Sequence, residues 1–414
     1  MSGARPQLLF LSQCLPFPPH SGVTNRTFNV LRQLQRTFDV RLVAFSRRNH
    51  QPTEAARADS RAALSDRLSA VAVPVPIPAE RSRFARLLAH IRSVLAHRPY
   101  VFDEYASPAF AAEVASMTRG HAPDLVHADS LDLYGYFPQL GAVPIACTHH
   151  SVESELLRLR AAHFGSRIGA AYLGWQADRI EDLERAECGR LALNVMMSEI
   201  DADRLKRLVP SAQTYVAANG VDVELLTPAS PERQQAGRVV FLGPTYMYPN
   251  RDGLGYFLDE VWPRIRLARP EATLHLVGRN SEEDRRRYAE VPGVVPRGFV
   301  DDIREPFAEA ACSVVPLRIG GGTRLKILDS WSMGKAVVST AVGCEGLAVR
   351  DGENILVRDD PASFADAVLA VLADQTLRQK LETGGRQTAV EQYSWDRVGA
   401  GLRGRYQKLI DGER

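Results

Sequence analysis

Lysine is scarce in this 414-residue chain, at five residues against 46 arginines, so a lysine in a special position draws attention. Lys326 lies in the strongest motif of the sequence. Cysteine is scarce as well. Cys14, Cys147, Cys188, Cys312 and Cys344 stand far apart, with no CxxC or Cys/His spacing, which argues against a disulfide framework or a structural zinc site and makes a reducing cytoplasm the natural compartment. No run of eighteen uncharged apolar residues occurs, and the apolar stretch Leu8 to Leu11 is too short for a secretory signal, so neither a membrane span nor a leader is expected. Residues 1–100 hold 15 arginines against five acids, while acids outnumber bases in the remainder. The basic part has no interleaved aromatic stacking platform and no recognition motif, so nucleic acid is not an expected partner. What is present, 45% apolar against 24% charged residues, reads as two or three soluble globular domains.

Short runs rich in branched residues alternate with helical periodicity, the pattern of a parallel sheet with crossover helices. Strands are expected at Leu8 to Ser12, Val40 to Phe45, Leu125 to His127, Ile145 to Thr148 and Leu193 to Met197, and again at Val239 to Leu242, Leu274 to Val277, Val294 to Pro296, Ser313 to Pro316 and Val337 to Thr340. Between the sets, Asn219-Gly220 and the polar stretch Thr227 to Gly237 mark a boundary. The expected class is therefore α/β, with two doubly wound Rossmann-like domains facing across a cleft: 1–217, 218–392, and a terminal helix over 393–414 returning toward the first domain. The segment Val71 to Pro78, with proline at 74, 76 and 78, is expected to be extended. It leads into a helix from Arg81 to His97 that places Phe84, Leu87, Leu88, Ile91, Val94 and Leu95 on one face, flanked by Arg83, Arg86, His90 and Arg92. Packing on its own sheet and lying on an anionic lipid surface both account for that stripe.

The most informative stretch runs from Pro316 to Lys335 and reads strand, glycine loop, helix, stop. Gly320, Gly321 and Gly322 clear side chains from the backbone where a ligand approaches, Thr323 is placed to cap the helix, and Gly334 to end it left-handed. A helix N-terminus at a strand's carboxyl end attracts an anion, but a surface dipole contributes only about 0.3–1 kcal/mol, so a tightly held diphosphate also needs charged donors. Arg324 and Lys326 are at hand. The alternative is a plain turn followed by a Lys326–Asp329 pair three residues apart.

These residues resemble family 4 glycosyltransferases of the GT-B fold, the kind found in bacterial exopolysaccharide and cell-surface glycan pathways. The resemblance runs through Asn219-Gly220-Val221-Asp222, Phe241-Leu242-Gly243, Tyr248-Pro249-Asn250, Leu276-Val277-Gly278, Arg297 to Asp302, the glycine motif, Ala336 to Thr340 and Val342 to Leu347, ending at Ser394-Trp395. In the first half it is carried by Pro16 to Arg26, Val126-His127 and His150-Ser151-Val152-Glu153. It implies transfer of a sugar from a nucleoside diphosphate sugar, which is a co-substrate, with no further cofactor and no metal. The donor would be held by the second domain and the acceptor, a glycan or a lipid-linked one, mainly by the first.

Carried over residue by residue, the resemblance puts Asp329 where the family has a ribose-contacting glutamate and Gly321 where it has a sugar-contacting one. Pro244 replaces a donor arginine, and Asn250-Arg251 lies near the family's lysine. Diphosphate charge would then rest on Arg251, Arg324 and Lys326. Gly22 belongs to a loop that would close over the phosphates, with a tight capping turn as the alternative. His150, at the end of a buried strand, is a candidate for touching sugar or acceptor. His127 and His149 are acceptor-side candidates, and a structural role is the alternative for all three. Asp201-Ala202-Asp203 reads as a helix start rather than a metal-binding DxD. The resemblance further implies retention of anomeric configuration at a site that stabilises the leaving diphosphate. With its basic first domain, the cytoplasmic protein is open to peripheral contact with the inner face of the membrane, which a lipid-linked acceptor would suit. A nucleotide-sugar epimerase and a nucleotide-binding scaffold without turnover are the alternatives.

Overall fold

Strands buried on both faces need no polar alternation, and the branched apolar runs form such strands. The computed structural model describes residues 5–413 except 20, 49, 69–70, 121, 163 and 320–323. β1 (Gln7–Ser12), β2 (Asp39–Ser46), β3 (Val71–Pro76), β4 (Leu125–Ala128), β5 (Ile145–His149), β6 (Leu193–Met196) and β7 (Thr214–Val216) make one sheet in the order β3-β2-β1-β4-β5-β6-β7. A second sheet, ordered β10-β9-β8-β11-β12-β13, is built from β8 (Arg238–Leu242), β9 (Thr273–Val277), β10 (Val294–Gly298), β11 (Cys312–Val315), β12 (Ala336–Ser339) and β13 (Leu356–Val357). All the pairings are parallel, for example Leu8 with Val40 on one side and with Leu125 on the other. These are the two doubly wound Rossmann-like sheets of the GT-B class.

The chain divides into two compact units, Met1–Ala218 with Gly399–Arg414, and Asn219–Val398. The C-terminal helix Trp395–Ile410 starts in the second unit, and its residues from Gly399 onward belong to the first. There Tyr406 is fully buried and its hydroxyl shares a 2.5 Å hydrogen bond with His127 Nδ1. In the first unit the core gathers Leu9, Leu11, Phe45, Phe110 and Val126; in the second it gathers Phe241, Phe257, Trp262, Leu274 and Phe364. All five cysteines are buried thiols.

Three strands were invisible to periodicity: β7 and β13, at three and two residues, are too short to show any, and β3 is the extended segment Val71 to Pro78 recruited as an edge. Its register sets Pro74 beside Ala44 and Pro76 beside Ser46. Proline at every second position removes N–H groups from one side of a strand only, so β3 can pair inward and offers a poor outer edge for further pairing. The helix expected over Arg81 to His97 runs Arg83–Leu95, capped by Ser82. It is not packed by its apolar face: Ala89 and Ser93 are the buried positions, whereas Phe84, Leu87, Ile91, Val94 and Leu95 are exposed.

Candidate functional site

An open parallel sheet binds ligands beyond the carboxyl ends of its strands, where the winding direction reverses. In the second unit that point falls between β8 and β11. The chain leaves β11 into the glycine segment and enters the helix Leu325–Ser332, which Ile327, Leu328 and Trp331 anchor in the core. Trp331 Nε1 donates to Asn354 O at 2.7 Å, and Gly334 ends the helix at φ 61°, the left-handed stop the sequence suggested. Gly320, Gly321, Gly322 and Thr323 lie outside the described residues. Arg324 occupies the cap position itself.

The neighbouring helix Tyr248–Tyr256, after β8, closely approaches the backbone just beyond β11: a Cβ on Gly253 would stand 2.6 Å from Pro316 O. From that helix Asn250 reaches both sides. Its Nδ2 donates to Pro244 O at 3.0 Å, and its Oδ1 accepts from Lys326 Nζ at 2.7 Å. Lys326 Nζ also stands 5.0 Å over the Phe241 ring. Burial, with the charge of Arg324 adding to it, lowers the Lys326 ammonium to about 7. Lys326 makes no ion pair among the described residues, so the Lys326–Asp329 pair is not formed.

Burial pushes the Asp329 carboxyl up to about 7, and no described residue donates to it. The Arg324 guanidinium is buried and donates to Val342 O at 3.0 and 3.3 Å. Arg251 points elsewhere: it donates to Thr245 O at 3.1 Å and pairs with Asp284 at 3.0 Å. Asn250, one position away, is the side chain that meets Lys326. Sequence could not tell the two apart, because which neighbour faces Lys326 depends on the helix's rotation.

In the first unit the winding reverses between β1 and β4. Asp129, directly after β4, is fully buried there and accepts from Thr27 Oγ1 at 2.5 Å and Ser12 Oγ at 3.2 Å. The sequence reading passed over it; its signal was a carboxylate at the carboxyl end of an apolar strand. The three histidines separate. His127 is a core residue, stacked on Phe10 at 4.2 Å and bonded to Tyr406. His149 is buried against Asn194 Oδ1 at 2.9 Å, and burial lowers it to about 4. His150 keeps Nε2 without a hydrogen-bond partner among the described residues, and burial lowers its pKa, partly offset by Asp129.

Gly22 is the first residue of the helix Gly22–Leu34, which Ser21 and Thr24 close with a reciprocal capping box. In the same helix Arg26 is 1% exposed and donates to Ala217 O at 2.8 Å and Ala218 O at 3.1 Å. Ser198 caps the helix Glu199–Leu208, its Oγ accepting from Asp201 N–H at 3.1 Å and donating to the Asp201 carboxylate at 2.7 Å, the helix start the sequence suggested. A cavity of about 420 Å³ in the first unit is lined by Arg92, Phe102, Tyr105, Asp132 and Tyr136. Burial raises the Asp132 carboxyl, opposed by Ser130 and Arg47.

Comparison with known proteins bears on both units. The family model described as Glycosyltransferase Family 4 matches residues 20–225, and that described as Glycosyl transferases group 1 matches residues 236–374. The chain is 30% identical over 205 residues to a phosphatidyl-myo-inositol mannosyltransferase of Mycobacterium leprae, a match covering 46% of this chain and 52% of that protein. It is 35% identical over 136 residues to the lipopolysaccharide core biosynthesis glycosyltransferase LpsE of Rhizobium meliloti, covering 31% and 40%. The matched segments thus span about half or less of these relatives. The crystal structure of Anabaena Alr3699/HepE in complex with UDP superposes with a TM-score of 0.67 at 14% identity, covering 97% of this chain and 100% of that one. With matched models across both units and this fold throughout, the chain belongs to glycosyltransferase family 4 of the GT-B fold.

Proposed function

We propose that this chain transfers a sugar, with retention of anomeric configuration, from a nucleoside diphosphate sugar to a hydroxyl of a glycan or lipid-linked glycan acceptor, in polysaccharide or cell-surface glycan synthesis. The observation that carries the reading is Lys326. Its ammonium side chain belongs to the first turn of the helix after β11, beside Arg324, with a neutral amide oxygen as its hydrogen-bond partner at 2.7 Å. A buried cation next to another cation is destabilised, and a diphosphate arriving there supplies the missing counter-charge. Asp329, one turn further on, presents a carboxyl for a ribose hydroxyl. Phe299, exposed after β10 with the Arg279 guanidinium 4.8 Å over its ring, offers an apolar surface for a base.

The names of the relatives support transferase chemistry, and the UDP bound by the Anabaena protein supports a nucleotide donor. On the acceptor side, His150 Nε2, without a hydrogen-bond partner among the described residues, is offered to a hydroxyl. No protein nucleophile is required; the groups act by stabilising charge on the leaving diphosphate.

Lys326→Ala tests this. Losing one charged hydrogen bond costs about 1.5–3 kcal/mol, or roughly ten- to two-hundred-fold in rate. Nucleoside diphosphate release from a donor–acceptor mixture should fall by at least that factor, and near-unchanged turnover would sink the assignment. Two other outcomes would replace the proposal: donor conversion without acceptor indicates an epimerase, and nucleotide binding without turnover indicates a scaffold.

A further inference from the structure

The helix Arg83–Leu95 is turned inside out relative to an ordinary amphipathic helix. Its inward side is small and polar: Ala89 and Ser93 are buried, Gln176 Nε2 donates to Ser93 Oγ at 3.0 Å, and His90 Nδ1 shares a 2.6 Å hydrogen bond with Tyr172. Its outward side is apolar, with Phe84 72%, Leu87 56% and Leu95 76% exposed alongside Ile91 and Val94. The supporting helix hairpin, Glu153–Ala162 and Arg167–Glu187, adds exposed Leu159, Phe164 and Ile168, and Ile168 stands one turn from Tyr172.

The charge around these residues has one sign. No acid occurs between residues 81 and 102 or between 156 and 177. Arg83, Arg86, Arg92, Arg160 and Arg167 are exposed and make no ion pair among the described residues. The nearest acids pair with other arginines, Glu80 and Glu104 with Arg47, Asp103 with Arg98, Asp178 and Glu181 with Arg158; Glu104 also feels Arg86, and Asp132, which lines a cavity with Arg92, has its carboxyl raised by burial.

We propose that this face docks the first unit on a bilayer bearing anionic headgroups, the helix lying in the interface plane. A thirteen-residue helix offers about 20 Å of apolar edge to the acyl boundary, while arginines along its flanks reach the phosphates. Charge complementarity selects this occupant over a second copy, whose identical face would set arginine against arginine. Among the described residues no helix is long and apolar enough to cross a membrane, so the contact is one of surface.

The test is flotation of the full chain with vesicles of phosphatidylcholine alone or mixed with phosphatidylglycerol. The chain should float with the mixed vesicles only, and less at raised salt. Leu87→Glu/Ile91→Glu should lower partitioning about ten-fold or more, and Arg83→Gln/Arg86→Gln about five-fold per arginine, both with unchanged melting because the side chains are exposed. Absence of flotation by the natural chain, or equal flotation of the variants, would overturn the proposal. So would a dimer in light scattering that Leu87→Glu/Ile91→Glu dissociates without any lipid binding. The readout needs no sugar donor, so it fails or succeeds independently of the transfer assay.

Discussion

The Lys326 ammonium, ordinarily near 10.5, is lowered to about 7 because burial strips its hydration and Arg324 repels it. A diphosphate reverses both effects, so binding favours the protonated form. Affinity for a nucleoside diphosphate should therefore be highest below about pH 7 and fall as pH rises through and above it, by at most ten-fold per unit. The ligand's own second phosphate ionisation, near 6, is complete by then. Calorimetric titration between pH 7 and 9 checks this, and Lys326→Arg, which stays charged, should flatten the profile. Asp329 shifts the opposite way, from 3.8 to about 7. An acid raised in the folded state binds its proton more tightly there than when unfolded, so it lowers stability progressively from about pH 4 to 7 and fully above. Asp329→Asn should accordingly melt higher at pH 8, by about 1–3 kcal/mol, and show no such gain at pH 4. If the carboxyl meets ribose, the same variant gains stability without gaining nucleotide affinity. Neither shift was legible in the sequence, because both depend on burial by segments far away in the chain.

Two helices meet the loop after β11, and the closeness of one of them rests on a missing side chain. Gly253→Ala would drive Cβ into Pro316 O, a backbone atom that cannot swing aside. The helix Tyr248–Tyr256 must then shift, carrying Asn250 off Lys326, with an expected stability loss of about 1–3 kcal/mol and weaker nucleotide binding. Thermal melting and calorimetry on one preparation read both. The sequence announced the helix Leu325–Ser332 by its strand–glycine–helix pattern and by Gly334, since those signals are local, whereas the helix Tyr248–Tyr256 was not among its expectations. Which face of the helix Tyr248–Tyr256 turns to Lys326 is a matter of rotation and packing, and that is why Arg251 drew attention while Asn250 makes the contact. The helix Arg83–Leu95 teaches the same lesson more sharply. Its stripe was plain in the sequence, but a stripe has no inside or outside until its neighbours are placed.

The two units carry separate cores, and the C-terminal helix supplies part of the first. Tyr406 is buried against Phe38 and His127, and Arg403 donates to Gln33 Oε1 at 2.6 Å. Tyr406→Phe leaves the His127 ring nitrogen unpaired, so the first unit should lose about 1–3 kcal/mol. Scanning calorimetry should show one transition moving down in Tyr406→Phe while Asp329→Asn moves a different one up. The α/β class, the run of buried strands and the strand–glycine–helix motif were determined by the sequence alone, because periodicity, glycine and capping act over a few residues. Which ionisable groups end up buried without a counter-charge, which histidine keeps a nitrogen for a ligand, and which side of an amphipathic helix meets water were decided only by the tertiary structure. Solvation and charge pairing are set by segments hundreds of residues apart, as Tyr406 beside His127 shows, and no local pattern encodes them.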